Sequence, residues 1–243
     1  MTNFNELDKD QRLRYSRNIL LTEIGTSGQK KLFESSVLFI GCGALGSISS
    51  MYIAASGIKR IGLVDFDNID ISNLQRQLSF GENDVGRKKN DVLKEKILSI
   101  DNNIDVRTYD YFLRHKQAVE LISQYDVVIE GSDNPDTKYL ISGICATLKK
   151  PCVIGGISGC GGQVLTYMPG NATYSDFFPQ KAQIGEFTPC ALGGVLGPLP
   201  GIVGSIQASE AIKVIVGFGK PLINRLLLIN AADMSFREFE ITN

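Results

Sequence analysis

The sequence predicts an α/β fold built on a doubly wound, mainly parallel sheet, with a helical N-terminal cap and antiparallel C-terminal strands. Three observations carry this. From residue 37 onward, short apolar runs alternate with helix-length stretches, the pattern of successive βαβ units. The first run, 37–40, breaks into G-x-G-x-x-G at Gly41, Gly43 and Gly46. In such a turn one glycine lets the chain fold back, a second removes the Cβ that would hold a phosphate away, and a third lets helix and strand pack closely. Finally, Asp65 closes the second apolar run about 20 residues past the turn, where a carboxylate can hold a ribose hydroxyl. Together these describe a Rossmann-like nucleotide unit.

The elements follow in order. Residues 4–33 are charged and helix-prone, a cap ahead of that unit. Within them, Arg14-Tyr15-Ser16-Arg17 sets two guanidiniums near one helical face, which by itself reads as a solvated face. Strand 37–40 leads into an apolar helix, 44–56, closed by Gly57 as C-cap, and then strand 60–65. The polar segment 66–77 holds Asp67, Asn73, Arg76 and Gln77 and leaves the carboxyl end of a strand, where open α/β sheets bind ligands. Gly86-Arg87-Lys88-Lys89 opens helix 88–99. Cations at a helix N-terminus oppose its dipole, so either an anion lies nearby or this is an ordinary charged first turn.

Strand 104–109, helix 117–124 and strand 126–130 lead to a second acid-bearing turn, Gly131-Ser132-Asp133-Asn134-Pro135. Helix 137–149 and strands 152–156 and 162–168 come next. Periodicity then disappears from 169 to 197, a length that in a compact domain means a functional or disordered loop. Helix 200–217 and strands near 225–230 and 235–241 close the chain. One domain over 1–243 is expected, with a cap at 1–33 and a crossover-type loop at 170–197, because no repeat or separating linker is visible.

Composition narrows the function. A net charge of −1 and a pI of 5.9 give no global attraction to nucleic acid or acidic lipid. The first residues are polar, without a signal-peptide pattern, and the apolar stretch 202–216 is too short for a bilayer and carries Gln207, Glu210 and Lys213. A cytoplasmic protein with no membrane partner is expected. The five cysteines form no C-x-x-C pair, which argues against a disulfide framework and a cysteine-rich zinc site. The one histidine, His115, lies between Arg114 and Lys116 and reads as a surface residue, so histidine-based hydrolysis or hydride transfer is disfavoured. A dinucleotide needs few cations, whereas a triphosphate needs cations on its β and γ oxygens and a carboxylate for Mg²⁺. Arg76, Lys89 and Asp133 therefore suit ATP better than NAD.

The runs RYSRNILL, VLFIGCGALG, VDFDNIDISNLQRQ, VGRKK, GSDN and CALGGVLGPLPGIVGSIQASEAIK occur in this order along nearly the whole chain. Their combination resembles the ThiF/MoeB/HesA family of bacterial adenylyltransferases, relatives of ubiquitin-activating enzymes, and RYSRNILL most resembles its thiamine-pathway branch. The resemblance implies adenylation of the C-terminal glycine of a small ubiquitin-fold sulfur carrier ending in Gly-Gly, in the thiamine or molybdopterin pathway, with release of pyrophosphate. It implies that Gly41, Gly43 and Gly46 cradle ATP, that Asp65 holds its ribose, and that Asp67 and Gln77 belong to the same site. Asn73, Arg76 and Lys89 would contact phosphates and Asp133 would hold Mg²⁺, while Arg17 would reach across a homodimer interface.

Two departures matter. Relatives of this type usually carry zinc-binding C-x-x-C pairs in the late loop and near the C-terminus, but here the loop has Thr173-Tyr174-Ser175-Asp176 and no second pair precedes Asn243. No zinc is expected, the loop at 170–190 being held by contacts such as Phe177 and Phe178. This keeps a peptide-modifying relative open as an alternative. Cys190 occupies the family's crossover-loop cysteine position, where a covalent link to the carrier is one reading and an inert thiol the other.

Overall fold

The computed structural model describes residues 7–179 and 194–241. Among these, eight strands form one sheet: β1 Ser36–Ile40, β2 Arg60–Val64, β3 Asp105–Tyr109, β4 Val127–Glu130, β5 Cys152–Ser158, β6 Gly161–Tyr167, β7 Arg225–Asn230 and β8 Ser235–Glu240. Their order is β3-β2-β1-β4-β5-β6-β7-β8. From β3 across to β5 every pair is parallel, and from β5 to β8 every pair is antiparallel. The antiparallel part begins one strand earlier than strand–helix alternation implies. No helix follows β5; a tight turn with Gly159 at φ +57° returns the chain directly into β6.

The helices are α1 Lys9–Arg14, α2 Ser16–Ile19, α3 Gly25–Glu34, α4 Ala44–Ser56, α5 Lys89–Ile100, α6 His115–Ile122, α7 Pro135–Leu148, α8 Tyr174–Phe177 and α9 Leu199–Val216. The central strands are apolar throughout because helices cover both faces. Val37 and Phe39 of β1 join Leu32, Ile53, Leu93 and Val203 in a core under α3, α4, α5 and α9, whereas Leu38 and Ile40 join Ala118, Leu121, Ile141 and Ile144 under α6 and α7. That split follows from the two-residue period of a strand.

Helix α9 is long and apolar enough to cross a membrane by length and composition. It packs instead along α4 and β5, and its buried polar residues Gln207 and Glu210 bond to groups inside the protein, although Gln207 Oε1 has no hydrogen-bond partner. Gln207 donates to the Glu130 carbonyl, and Glu210 accepts from the Leu222 N–H and the Thr166 hydroxyl.

The described start of the late loop is ordered around Tyr174. Its ring is buried, 5.0 Å from Tyr139 and 4.7 Å from Phe178, and its N–H donates to Ser142 Oγ. Phe177 and Phe178 do pack against the same core, but as its partly buried margin. The buried anchor lies inside the tetrapeptide Thr173-Tyr174-Ser175-Asp176, which stands in the late loop in place of a C-x-x-C pair.

Candidate functional site

A cavity of about 600 Å³ opens at the carboxyl ends of the parallel strands, where β1 and β4 lie side by side and the chain leaves them for opposite sides of the sheet. Such a switch point is where open α/β sheets form their ligand crevice. Gly41, Gly43, Asp65, Asp67, Arg76, Gln77, Lys89 and Asp133 all line it, although up to 92 positions separate them (41 to 133).

Local geometry explains the glycines. Gly41 has φ +89°, a left-handed conformation, and a Cβ there would lie 3.0 Å from the Ser132 nitrogen. A Cβ on Gly43 would meet only Gln77 Nε2, at 3.6 Å, so this position keeps open space for a ligand. The first turn of α4 has no side-chain cap, which leaves its N–H groups available to an anion.

Asp65 is half-buried at the end of β2. Its two carboxylate oxygens accept the N–H groups of Cys42 (2.7 Å) and Asp67 (2.8 Å), and each keeps a further lone pair for a hydroxyl. Burial raises its pKa, an effect opposed by the Asp67 N–H and the Lys89 charge. The cations at the start of α5 have their anion: Lys89, buried along its side chain, places Nζ 2.8 Å from Asp67 Oδ2, and its N–H bonds the Asp67 carbonyl. Arg76 is tethered to the Ser72 carbonyl at 2.9 Å, and buried Gln77 has an Oε1 with no hydrogen-bond partner. Asp133 is exposed into the cavity from the turn after β4.

Other expected residues lie elsewhere. Gly46 is outside the lining; a Cβ there would sit 1.8 Å from the Gly41 carbonyl oxygen, so it seats α4 against the turn. Asn73 is also outside, its side-chain oxygen accepting the Asp70 N–H. Arg17 is exposed on α2 and does not line its own chain's cavity. Cys190 lies outside the described residues. Cys42 is fully buried, and burial pushes its thiol pKa well up, which makes it unreactive. His115 is exposed at the start of α6.

Sequence reasoning missed an ion pair beside the turn. Glu130, with no exposure, accepts Lys138 Nζ at 2.6 Å, and both are buried. Burial raises the Glu130 pKa, while Lys138 and Ser132 pull it down. The available signal was a glutamate ending the apolar run Val127-Val128-Ile129-Glu130 with a lysine eight positions later on α7. Also missed were Phe66 and Phe112, which line the cavity with ring centroids 5.7 Å apart.

These groups fit a nucleoside triphosphate. There is a glycine cradle at an uncapped helix start, a carboxylate with free lone pairs, two cations, an unpartnered amide oxygen and exposed aromatic rings. Residues 15–243 match the model of the ThiF family. The chain belongs to the ThiF family. Among curated relatives of this ThiF-family chain, a probable molybdopterin-synthase adenylyltransferase of Porphyra purpurea is 43% identical over 94% of the chain and 60% of the relative. A probable adenylyltransferase/sulfurtransferase MoeZ of Mycobacterium tuberculosis is 39% identical over 97% and 61%. The chain thus spans about three fifths of the length of these relatives. Among solved structures, E. coli MccB with ATP superposes with a TM-score of 0.83 at 25% identity, covering 95% of this chain and 72% of that one. Among the described residues, no group of three His, Cys, Asp or Glu side chains is arranged to hold a metal. Asp133, exposed into the cavity, is a carboxylate that could hold Mg²⁺ beside phosphates, a role that typically takes only one or two carboxylates.

Proposed function

We propose that this protein adenylates the C-terminal glycine carboxylate of a small ubiquitin-fold sulfur carrier ending in Gly-Gly, using ATP and releasing pyrophosphate. The observation that carries the reading is the continuity of the cavity. Its nucleotide end, Gly41 to Asp133, runs on without interruption over the antiparallel strands to Gly156, Gly161, Gly162, Gln163, Asn230 and Arg237. A second, glycine-rich arm of that kind takes an extended, small-residue tail and brings its carboxylate to the α-phosphate. The family relationship and the adenylyltransferase names of the curated relatives support the same chemistry.

In the reaction a carboxylate oxygen forms a bond to the α-phosphorus, the bond from that phosphorus to the β-bridging oxygen breaks, and pyrophosphate leaves. No general base is needed, since the attacking carboxyl is already ionised at neutral pH. What the protein supplies is orientation and charge compensation for two approaching anions. Asp65 orients the ribose, the α4 amides and Gly43 seat the phosphates, and Arg76 and Lys89 offset negative charge. Asp133 would hold a Mg²⁺ ion, which would supply charge neutralisation at the phosphates. Arg17 completes the site of a second copy in a homodimer, which accords with its place outside its own cavity and with Leu13, Leu20 and Leu21 exposed on the same cap. Residues 1–243 act as one adenylation domain, in the cytoplasm.

A second reading is adenylation of a ribosomal peptide, favoured by the likeness to MccB, which has been solved with MccA as well as with ATP. Pyrophosphate exchange into ATP, with Mg²⁺ and either Gly-Gly carriers or short peptides, separates the two. Exchange with a carrier supports the first; exchange with peptides alone overturns it in favour of the second.

A further inference from the structure

We propose that Lys138 and Glu130 are positioning residues that fix the turn presenting Asp133, and so set the affinity of the nucleotide site for Mg²⁺; this rests on the ATP·Mg²⁺ reading above. Lys138 is 3% exposed, and its ammonium donates to three oxygens: Glu130 Oε2 at 2.6 Å, the Ser132 carbonyl at 2.7 Å and the Gly155 carbonyl at 2.6 Å. An ammonium has three N–H donors, so all are committed. Although Lys138 lines the cavity, it is thereby distinguished from Arg76 and Lys89 as a poor phosphate ligand.

The three acceptors lie where the sheet stops holding the chain. β4 and β5 are paired only as far as Glu130 and Ile154. One residue on, Gly155 is joined to the β4 turn through Lys138, which takes over where the backbone ladder ends. Glu130 closes the turn from the other side, its Oε1 accepting both the N–H and the hydroxyl of Ser132. Both backbone polar groups of Ser132 are thus fixed by this pair, and Asn134, after Asp133, caps α7 by accepting the Thr137 N–H. The exposed Asp133 carboxylate has no partner among the described residues, so where it enters the cavity rests on how this backbone is held.

A buried ion pair is a weak source of stability: replacing the whole pair by well-packed apolar residues is often tolerated, whereas removing one partner leaves the other buried and unpaired and destabilises the protein. Its place here, around the peptide before Asp133, is explained by geometry: supporting groups of metal ligands typically change metal affinity or activity by about 10- to 100-fold.

The test is ATP binding by titration calorimetry, in EDTA and across a Mg²⁺ series, for wild type, Lys138→Met, Lys138→Arg and Glu130→Gln, with thermal unfolding as a folding control. Expected are unchanged ATP affinity in EDTA and a half-saturating Mg²⁺ concentration raised about 10- to 100-fold in Lys138→Met and Glu130→Gln, with partial rescue in Lys138→Arg. Folded variants with wild-type Mg²⁺ dependence, or with ATP affinity reduced equally with and without Mg²⁺, overturn the inference while leaving the nucleotide site standing. Should Lys138→Met not fold, Lys138→Arg and Glu130→Gln decide by the same comparison. Wild type that binds no ATP would overturn the underlying reading, and this inference with it.

Discussion

The Tyr15 hydroxyl lies 3.2 Å from Asp101 Oδ2, tying the N-terminal cap to the end of α5 across 86 positions of sequence. Asp101 also accepts Lys59 Nζ at 2.5 Å and the Asn103 amides, the Arg14 guanidinium donates to the Ile100 carbonyl, and the Tyr15 ring packs edge-on against Phe33 at 5.0 Å. Two residues of the Arg14-Tyr15-Ser16-Arg17 run are therefore anchors, and they fix the cap from which Arg17 projects.

Removing that anchor weakens the fold. Tyr15→Phe is expected to cost about 1 kcal/mol and Asp101→Ala about 1.5–3 kcal/mol in urea unfolding, the usual values for neutral and charged hydrogen bonds. Burial acts to raise the Asp101 pKa, but Lys59 and Asn103 outweigh it and hold the carboxyl below its ordinary 3.8. Its contribution is therefore present above that value and is lost as pH falls through and below it. Tyr15, raised by burial and by Asp101 from 10 to about 12, keeps its contribution up to pH 10 and loses it between 10 and 12. Stability curves that keep the same acid limb in Asp101→Asn would contradict the assignment.

Nucleotide affinity should fall on acidification earlier than an ordinary carboxylate allows. Burial is the main cause raising the Asp65 pKa above 3.8, so the ionised form that receives a ribose hydroxyl is lost while exposed carboxylates are still charged. Fluorescent-ATP titrations from pH 7 downward should locate the midpoint above 3.8, and Asp65→Asn should bind weakly with no such midpoint.

The glycines of the turn should separate by role. Gly46→Ala, whose Cβ would lie 1.8 Å from a backbone oxygen, should destabilise the protein by about 1–3 kcal/mol, the range for overpacking. Gly43→Ala meets only a side-chain amide at 3.6 Å, so it should melt close to wild type yet lose ATP affinity. Melting curves paired with ATP titrations check this, and a Gly46→Ala protein of wild-type stability would be the failing result.

Complementation tests the second copy. Arg17→Ala and Asp133→Ala should each abolish pyrophosphate exchange while remaining folded. If Arg17 serves its partner's site, a mixed dimer contains one site with both residues intact. Mixed samples should then recover up to a quarter of wild-type exchange (half the dimers mixed, one working site in two). No recovery in a sample shown to contain mixed dimers would place Arg17 in its own chain's site.

Much of the site was legible before the fold. Gly41, Gly43, Asp65 and Asp133 each follow an apolar strand at its carboxyl end, so their position along the chain already implied a shared edge of the sheet. Local pattern could not separate Gly46, which packs, from Gly43, which leaves room, because both are glycines of one motif and differ only in what faces their absent Cβ. Nor could it show that Lys89 is held by Asp67, or that Tyr174 rather than Phe177 is the buried anchor of the late loop.

Residue order alone determined the strand–turn–helix nucleotide unit and the acids and cations that follow it, because strand and helix periods and glycine turns are local properties. The tertiary structure decided which of those residues meet in one cavity. It also joined Tyr15 to Asp101, and drew Lys138, Glu130 and Gly155 around the turn before Asp133. Those contacts depend on where β5 and α5 pack beside β4 and the cap, which no single stretch of sequence encodes.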